Sequence, residues 1–181
     1  MEEAVMKILN LYFSATGNTE KVAKRIEKTL LEIGHEVETL KVTEDMEVKI
    51  LEYDFVFMGS GVYTWMPGKP LIEFIGKQRE KYRSDEIKPA SPRRVGKKAV
   101  IYCTFGGGHT GTNEAVPAIK YMGQLFDHLG YEILGEWFIV GEFHGKLAYL
   151  SESGRLGNIL GRPNEADLLE IAEKVRGILR V

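Results

Sequence analysis

The sequence has little of several features that would restrict its location or its partners. It contains one cysteine, Cys103, so no disulfide can form within these 181 residues, and a reducing, cytoplasmic location is expected. No apolar run approaches the ~20 residues that a membrane-spanning helix needs. Charge is nearly balanced, with 24 basic and 26 acidic residues and a net charge of −2, so nothing indicates a nucleic-acid partner.

Histidines are also few, and their positions do not resemble a metal site. The four histidines and Cys103 are dispersed, without the close pairs that metal-binding motifs contain. We therefore predict no bound metal. Apolar residues, by contrast, are present in the ordinary amount, 44%, which is enough for a single domain over residues 1–181.

Short apolar runs alternate with amphipathic segments along the chain. The runs predict strands over residues 6–13, 35–42, 54–59, 99–103 and 133–140. The amphipathic patterns predict helices over residues 20–33, 70–82, 113–129 and 165–179. This alternation is typical of an α/β fold, a five-stranded parallel sheet with helices on both faces. Right-handed crossovers favour the strand order 2-1-3-4-5, with ligands at the carboxyl ends of strands one and three.

The turn after the first predicted strand has the composition of a phosphate site. It consists of Ser14, Ala15, Thr16, Gly17, Asn18 and Thr19, and a helical pattern follows directly. Backbone N–H groups at a helix N-terminus, helped by hydroxyl donors, can bind a phosphate without a basic side chain. The alternative is an ordinary helix cap, because Asn and Thr favour that position.

Two later loops are predicted at the same edge of the sheet. The second exposes Tyr63 and Trp65, which either stack on a flat aromatic ligand or simply cover the sheet edge. The third contains Gly106, Gly107 and Gly108, whose missing side chains let the backbone approach a planar ligand closely.

The sequence Ser14-x-Thr16-Gly17-Asn18-Thr19, with the Glu-Lys-Val-Ala that follows, resembles the phosphate loop of flavodoxins. The resemblance extends over residues 6–179, and it implies a flavodoxin-like fold, an FMN cofactor and redox chemistry. It implies that Ser14 to Thr19 hold the FMN phosphate. The residues implied to border the N5 edge of the flavin are Ser60, Gly61, Val62, Tyr63, Thr64 and Trp65. Those implied to border its pyrimidine side are Thr104, Phe105, Gly106, Gly107 and Gly108.

Two positions depart from the usual flavodoxin pattern. Gly107 stands where many flavodoxins carry an aromatic residue against the outer flavin face, and Phe105 and His109 are the candidates to replace it. Thr64 stands where the family often has glycine, and a β-branched residue resists a positive φ. We therefore expect the one-electron-reduced flavin to be poorly stabilised. The stretch around Tyr63 also resembles a loop of flavodoxin-like NAD(P)H-dependent reductases.

Three residues are candidates for a direct catalytic role: His109, His144 and Tyr63. Both histidines lie in glycine-rich loops, where a neutral imidazole can hydrogen-bond a quinone or the reduced flavin; the alternative is that backbone groups satisfy them. The stretch after the fifth strand, residues 141–162, is longer than most connections, which is typical of functional loops.

Three functions agree with these observations. The first is an FMN-binding carrier that transfers electrons between redox partner proteins. The second is an FMN-dependent reductase that uses NAD(P)H to reduce a quinone or another small acceptor. The third is a flavodoxin-like interaction module without flavin.

Overall fold

The structure is a computed structural model that describes residues 6–180, so both ends of the predicted domain lie outside the described residues. Its strands are β1 (Lys7–Phe13), β2 (Glu36–Lys41), β3 (Phe55–Tyr63), β4 (Met66–Pro67), β5 (Lys98–Phe105) and β6 (Glu132–Val140). Its α-helices are α1 (Asn18–Glu32), α2 (Lys69–Tyr82), α3 (Val116–His128), α4 (Leu150–Ser153) and α5 (Glu165–Ile178). Short 3-10 turns cover Ile50–Glu52, Gly111–Glu114 and Gly145–Leu147.

Five strands form a parallel sheet in the order β2-β1-β3-β5-β6. Counted along the chain as five parallel strands, this is the predicted order 2-1-3-4-5, and the predicted α/β fold is confirmed. The order reverses between β1 and β3, which leaves a crevice beyond their carboxyl ends. The sequence did not predict β4, a two-residue strand that pairs antiparallel with β3.

Apolar side chains cover both faces of the sheet, as a buried parallel sheet requires. On one face, residues of α2 and α3 such as Phe74 and Met122 pack on alternate strand residues. On the other face, residues of α1 and α5 such as Ile26 and Val175 pack on the intervening strand residues. The helices therefore cover both faces, α2 and α3 on one and α1 and α5 on the other, and the loops at the carboxyl edge stay free for a site.

One buried polar link joins the central strands to α1. The hydroxyl of Tyr102 donates to Oδ1 of Asn10 (3.1 Å), and Nδ2 of Asn10 donates to the carbonyl of Ala23 (3.0 Å). Gly59 is needed beside them, because a Cβ there would lie 2.0 Å from the Tyr102 ring. This link connects the first half of α1 to β1 and β5.

Two further findings concern the described residues as a whole. None of the helices within residues 6–180 is long and apolar enough to cross a membrane. The same residues contain no group of three or more His, Cys, Asp or Glu side chains arranged to hold a metal ion.

Candidate functional site

A cleft of about 460 Å³ opens at the carboxyl edge of the sheet, beyond the ends of β1, β3, β5 and β6. The first two loops contribute Thr16, Asn18, Thr19, Gly61, Val62, Tyr63, Thr64 and Trp65 to its walls. The later loops contribute Thr104, Phe105, Gly106, Gly107, His109, Glu114, Gly141, Glu142, Phe143, His144, Leu147 and Leu150. The cleft thus lies at the reversal point of the strand order.

The first wall is the turn that leads into α1. Gly17 adopts a left-handed conformation (φ 96°), and no side chain caps the helix. The Gly17 N–H donates instead to the hydroxyl of Ser14 (3.0 Å), which is buried within the turn. By contrast, α5 begins with a complete capping box in which Asn164 accepts from two backbone N–H groups. The uncapped N-terminus of α1 therefore opens toward the cleft and favours an anion there.

Two polar contacts connect this turn to the other loops. The hydroxyls of Thr19 and Thr104 are hydrogen-bonded at 2.8 Å and buried. Asn18 donates through Nδ2 to the carbonyl of Glu142 (2.9 Å), and its Oδ1 lies 3.5 Å from Nε2 of His144. The floor of the cleft is thus built jointly by β1, β5 and the chain that follows β6.

The second wall is a tight hairpin, where the sequence predicted a loop after the third strand. Tyr63 pairs with Met66, and the two residues between them, Thr64 and Trp65, have positive φ values of 48° and 67°. Ser60 is fully buried and does not line the cleft. Its hydroxyl accepts a hydrogen bond from the N–H of Gly68 (2.9 Å) and closes the hairpin. Thr64 adopts a positive φ despite its β-branched side chain, contrary to the expectation from sequence, because pairing of β3 with β4 imposes this turn on both residues.

Tyr63 points from the hairpin toward the first turn. Its hydroxyl accepts a hydrogen bond from the N–H of Ala15 (3.1 Å), and its ring packs edge-on against Phe13 with centroids 5.9 Å apart. Burial raises the pKa of this hydroxyl, so it stays protonated at neutral pH. Trp65, at the tip of the hairpin, is 58% exposed and lines the mouth of the cleft.

The third wall combines the glycine loop with residues 141–162, which we call the covering segment. A Cβ on Gly106 would lie 2.2 Å from the ring of Phe143, and one on Gly108 would lie 3.1 Å from Leu150. The N–H of Arg155 donates to the carbonyl of Gly108 (2.8 Å). Two of the three glycines thus make room for the covering segment, while Gly107, at φ 55°, faces the cleft.

One carboxylate fixes the remainder of the third loop. Oε1 of Glu114 accepts from the backbone N–H groups of His109 and Thr110, both at 2.6 Å. His109 and His144 are both exposed and both line the cleft, on opposite loops. Over the described residues, the lining of the cleft includes no lysine or arginine.

Most residues singled out in the sequence gather around this cleft. Five of them do not line it: Ser14, Ala15, Gly17, Ser60 and Gly108. Sequence reasoning missed six lining residues, namely Glu114, Gly141, Glu142, Phe143, Leu147 and Leu150. The length of the covering segment was the one signal that pointed to most of them.

Fold and cleft together define a class: a parallel α/β protein with a ligand cleft where the strand order reverses. The profile of the flavodoxin family matches residues 11–173, so the chain belongs to the flavodoxin family. It is 31% identical to a flavodoxin of Clostridium beijerinckii over 103 residues, which are 57% of this chain and 66% of that relative.

Solved structures agree with this fold. Flavodoxin 2 from Bacillus cereus superposes with a TM-score of 0.69 at 19% identity, covering 96% of this chain and 98% of that one. A Klebsiella pneumoniae protein, provisionally described as a quinone reductase, superposes with a TM-score of 0.65 at 12% identity, covering 97% and 84% of the two chains. Flavodoxins bind FMN, and family membership assigns FMN as the cofactor of this chain.

The residues of the cleft fit such a cofactor. Its volume lies within the ~300–1,000 Å³ that small-molecule sites usually have. Nothing lies within 4 Å of a Cβ position on Gly17, so the space above the first turn is open. The uncapped helix suits a phosphate, and Val62, Phe105 and Phe143 supply apolar walls for a flat ring.

Proposed function

We propose that this chain is an FMN-dependent electron carrier. In this proposal the first turn holds the FMN phosphate, and the flavin ring lies between the hairpin and the covering segment. Bound FMN supplies the redox chemistry, while the protein binds and orients it. The observation that carries the proposal is the uncapped start of α1, which opens into a cleft with apolar walls.

The donors around the first turn support phosphate binding. Thr16 is exposed at the edge of the turn and lines the cleft. Thr19 has a different task, because its hydroxyl is already bonded to Thr104. We therefore assign the direct phosphate contact to Thr16 and the backbone N–H groups of the turn, with Thr19 supporting the turn from below.

The charge of the cleft favours a carrier over a reductase that uses NAD(P)H. A pyridine nucleotide carries two or three phosphates, which need cationic or N–H partners. In this proposal the N-terminus of α1 is taken by FMN, and the charged side chains in the lining are those of Glu114 and Glu142. These carboxylates repel further phosphates.

One observation favours a second candidate, the reduction of a small apolar acceptor such as a quinone. Trp65 and Leu147, which are 58% and 50% exposed, lie at the cleft and leave apolar surface open to a ligand. A quinone needs no phosphate site, so the acidic lining does not oppose it.

The test begins with Thr16→Val, which removes one hydroxyl and keeps the shape of the side chain. We expect the Kd for FMN, measured by quenching of flavin fluorescence, to rise about tenfold, because a hydrogen bond to a charged group contributes about 1.5 kcal/mol or more. Thr43→Val is the matched control, since Thr43 is exposed and lies outside the cleft lining. Equal affinities for the two variants would contradict the phosphate assignment.

Anaerobic mixing with reduced nucleotide separates the two functions. A carrier keeps its flavin oxidised when NADH or NADPH is added and is reduced only when a partner reductase is present. Direct bleaching of the flavin by either nucleotide would contradict the carrier assignment. Bleaching that becomes catalytic when a quinone is added would establish the second candidate.

A further inference from the structure

We propose that the hydroxyl of Tyr63 belongs to the phosphate subsite and donates its proton to the FMN phosphate. This inference rests on the proposed function, because it requires FMN in the cleft. It differs from the stacking role that the sequence suggests for Tyr63, since the hydroxyl contacts the cofactor and the ring face does not.

Three contacts hold the hydroxyl at the first turn. The N–H of Ala15 donates to it at 3.1 Å, which joins the end of β3 to the turn before α1. The ring is held by its edge-on contact with Phe13. Gly61 makes room for it, because a Cβ there would lie 2.8 Å from the hydroxyl oxygen. A larger residue at position 61 would displace the hydroxyl from the turn.

The proton of this hydroxyl is available. A tyrosine hydroxyl offers one donor and accepts through its lone pairs, and the bond from Ala15 uses a lone pair. Within residues 6–180, no side chain or carbonyl accepts the Tyr63 proton. Tyr63 lines the same cleft as Thr16 and the first residues of α1, so a phosphate at that helix end is the acceptor within reach.

The lack of cations in the described lining makes this donor important. A phosphate that meets no lysine or arginine in the cleft depends on neutral donors, and each such bond to a charged group is stronger than one between neutral groups. The N–H of Ala15, by donating to the hydroxyl oxygen, polarises the O–H and makes it a better donor.

The experiment compares Tyr63→Phe with the unmodified protein, using FMN and riboflavin as separate ligands. Tyr63→Phe keeps the ring against Phe13 and removes the hydroxyl alone. Riboflavin has the same ring and ribityl chain as FMN but no phosphate. With flavin-free protein, we expect the Kd for FMN to rise about tenfold or more, as for other bonds to charged groups. We expect the Kd for riboflavin to change by less than about twofold.

Other outcomes overturn the inference in distinguishable ways. An equal loss for both flavins would mean that Tyr63 acts on the ring or the ribityl chain. Unchanged or tighter FMN binding would mean that the hydroxyl only occupies the site until the phosphate displaces it. Tyr121→Phe, at a partly buried tyrosine of α3 outside the cleft lining, is the matched control and should leave both affinities unchanged. If the unmodified protein binds neither flavin, the proposed function itself fails.

Discussion

At the scale of single residues, the hairpin turn is one of two places within residues 6–180 where consecutive non-glycine residues have positive φ; the other is Ala90 and Ser91. Thr64 and Trp65 both have positive φ, a conformation that costs a residue with a Cβ on the order of 1–3 kcal/mol. The buried Ser60 hydroxyl and the pairing of Tyr63 with Met66 hold the turn in place. The chain therefore keeps strain at the edge of its cofactor cleft.

Replacing Thr64 by glycine should relieve part of this strain. We expect Thr64→Gly to raise the free energy of unfolding by about 1 kcal/mol, because glycine adopts a positive φ at little steric cost. Urea denaturation measures the change. The control is Thr43→Gly, an exposed threonine without a positive φ, where glycine should lower stability. A loss of stability at both positions would contradict the strain at Thr64.

The same turn shows a limit of residue-by-residue prediction. Thr-Trp carries none of the usual turn residues such as Asn-Gly or Asp-Gly, so no local signal predicts a two-residue hairpin here. Only the pairing partner of Tyr63 decides the conformation of Thr64. By contrast, the first turn could be recognised, because Gly17 and its hydroxyl neighbours are favourable locally in the conformation that they adopt.

At the scale of elements, the glycine loop and the covering segment form one unit. Gly106 and Gly108 leave the space that Phe143 and Leu150 occupy. The positions of strands and helices followed from the periodicity of apolar residues. The packing of the glycine loop against the covering segment could not be predicted in this way. The two are separated along the chain, and nothing in the local sequence of either one indicates the other.

A methyl group at Gly106 should loosen the covering segment. We expect Gly106→Ala to lower the free energy of unfolding by about 1–3 kcal/mol, since the new Cβ would lie 2.2 Å from the Phe143 ring. Proteolysis within residues 141–162 should become faster, because local opening of that segment becomes easier.

The matched control is Gly76→Ala in α2. Nothing lies within 4 Å of a Cβ there, so the alanine should raise stability by about 0.5–1 kcal/mol through its better helix propensity. If Gly106→Ala behaved like Gly76→Ala, the close packing of Phe143 against the glycine loop would be disproved.

At the scale of the whole molecule, tyrosines make the stability of the fold depend on pH in the alkaline range. Burial is the main reason why the pKa values of several tyrosines are raised, namely Tyr12, Tyr53, Tyr63, Tyr82, Tyr102 and Tyr131. For Tyr53, burial and the neighbouring Glu38 raise the pKa from 10.0 to about 12. Between these values the unfolded chain has lost protons that the folded chain still holds.

The direction of the pH effect follows from this difference. The contribution of these tyrosines to stability is complete below pH 10 and is lost as the pH rises through the folded pKa values. We expect the urea midpoint to fall between about pH 10 and 12, while tyrosinate absorbance appears together with unfolding. Tyr53→Phe should make the fall smaller; an unchanged midpoint across this range would contradict the prediction.

Burial in the sheet also protects the cysteine of this sequence, Cys103, from oxidants. Cys103 lies fully buried in β5, and burial raises the pKa of its thiol, so the reactive thiolate is not formed near neutral pH. Peroxides and disulfide-exchange reagents attack thiolates that solvent can reach. The single sulfhydryl of this sequence is therefore insulated from chemistry in the cleft, and turnover at a bound cofactor should leave it intact.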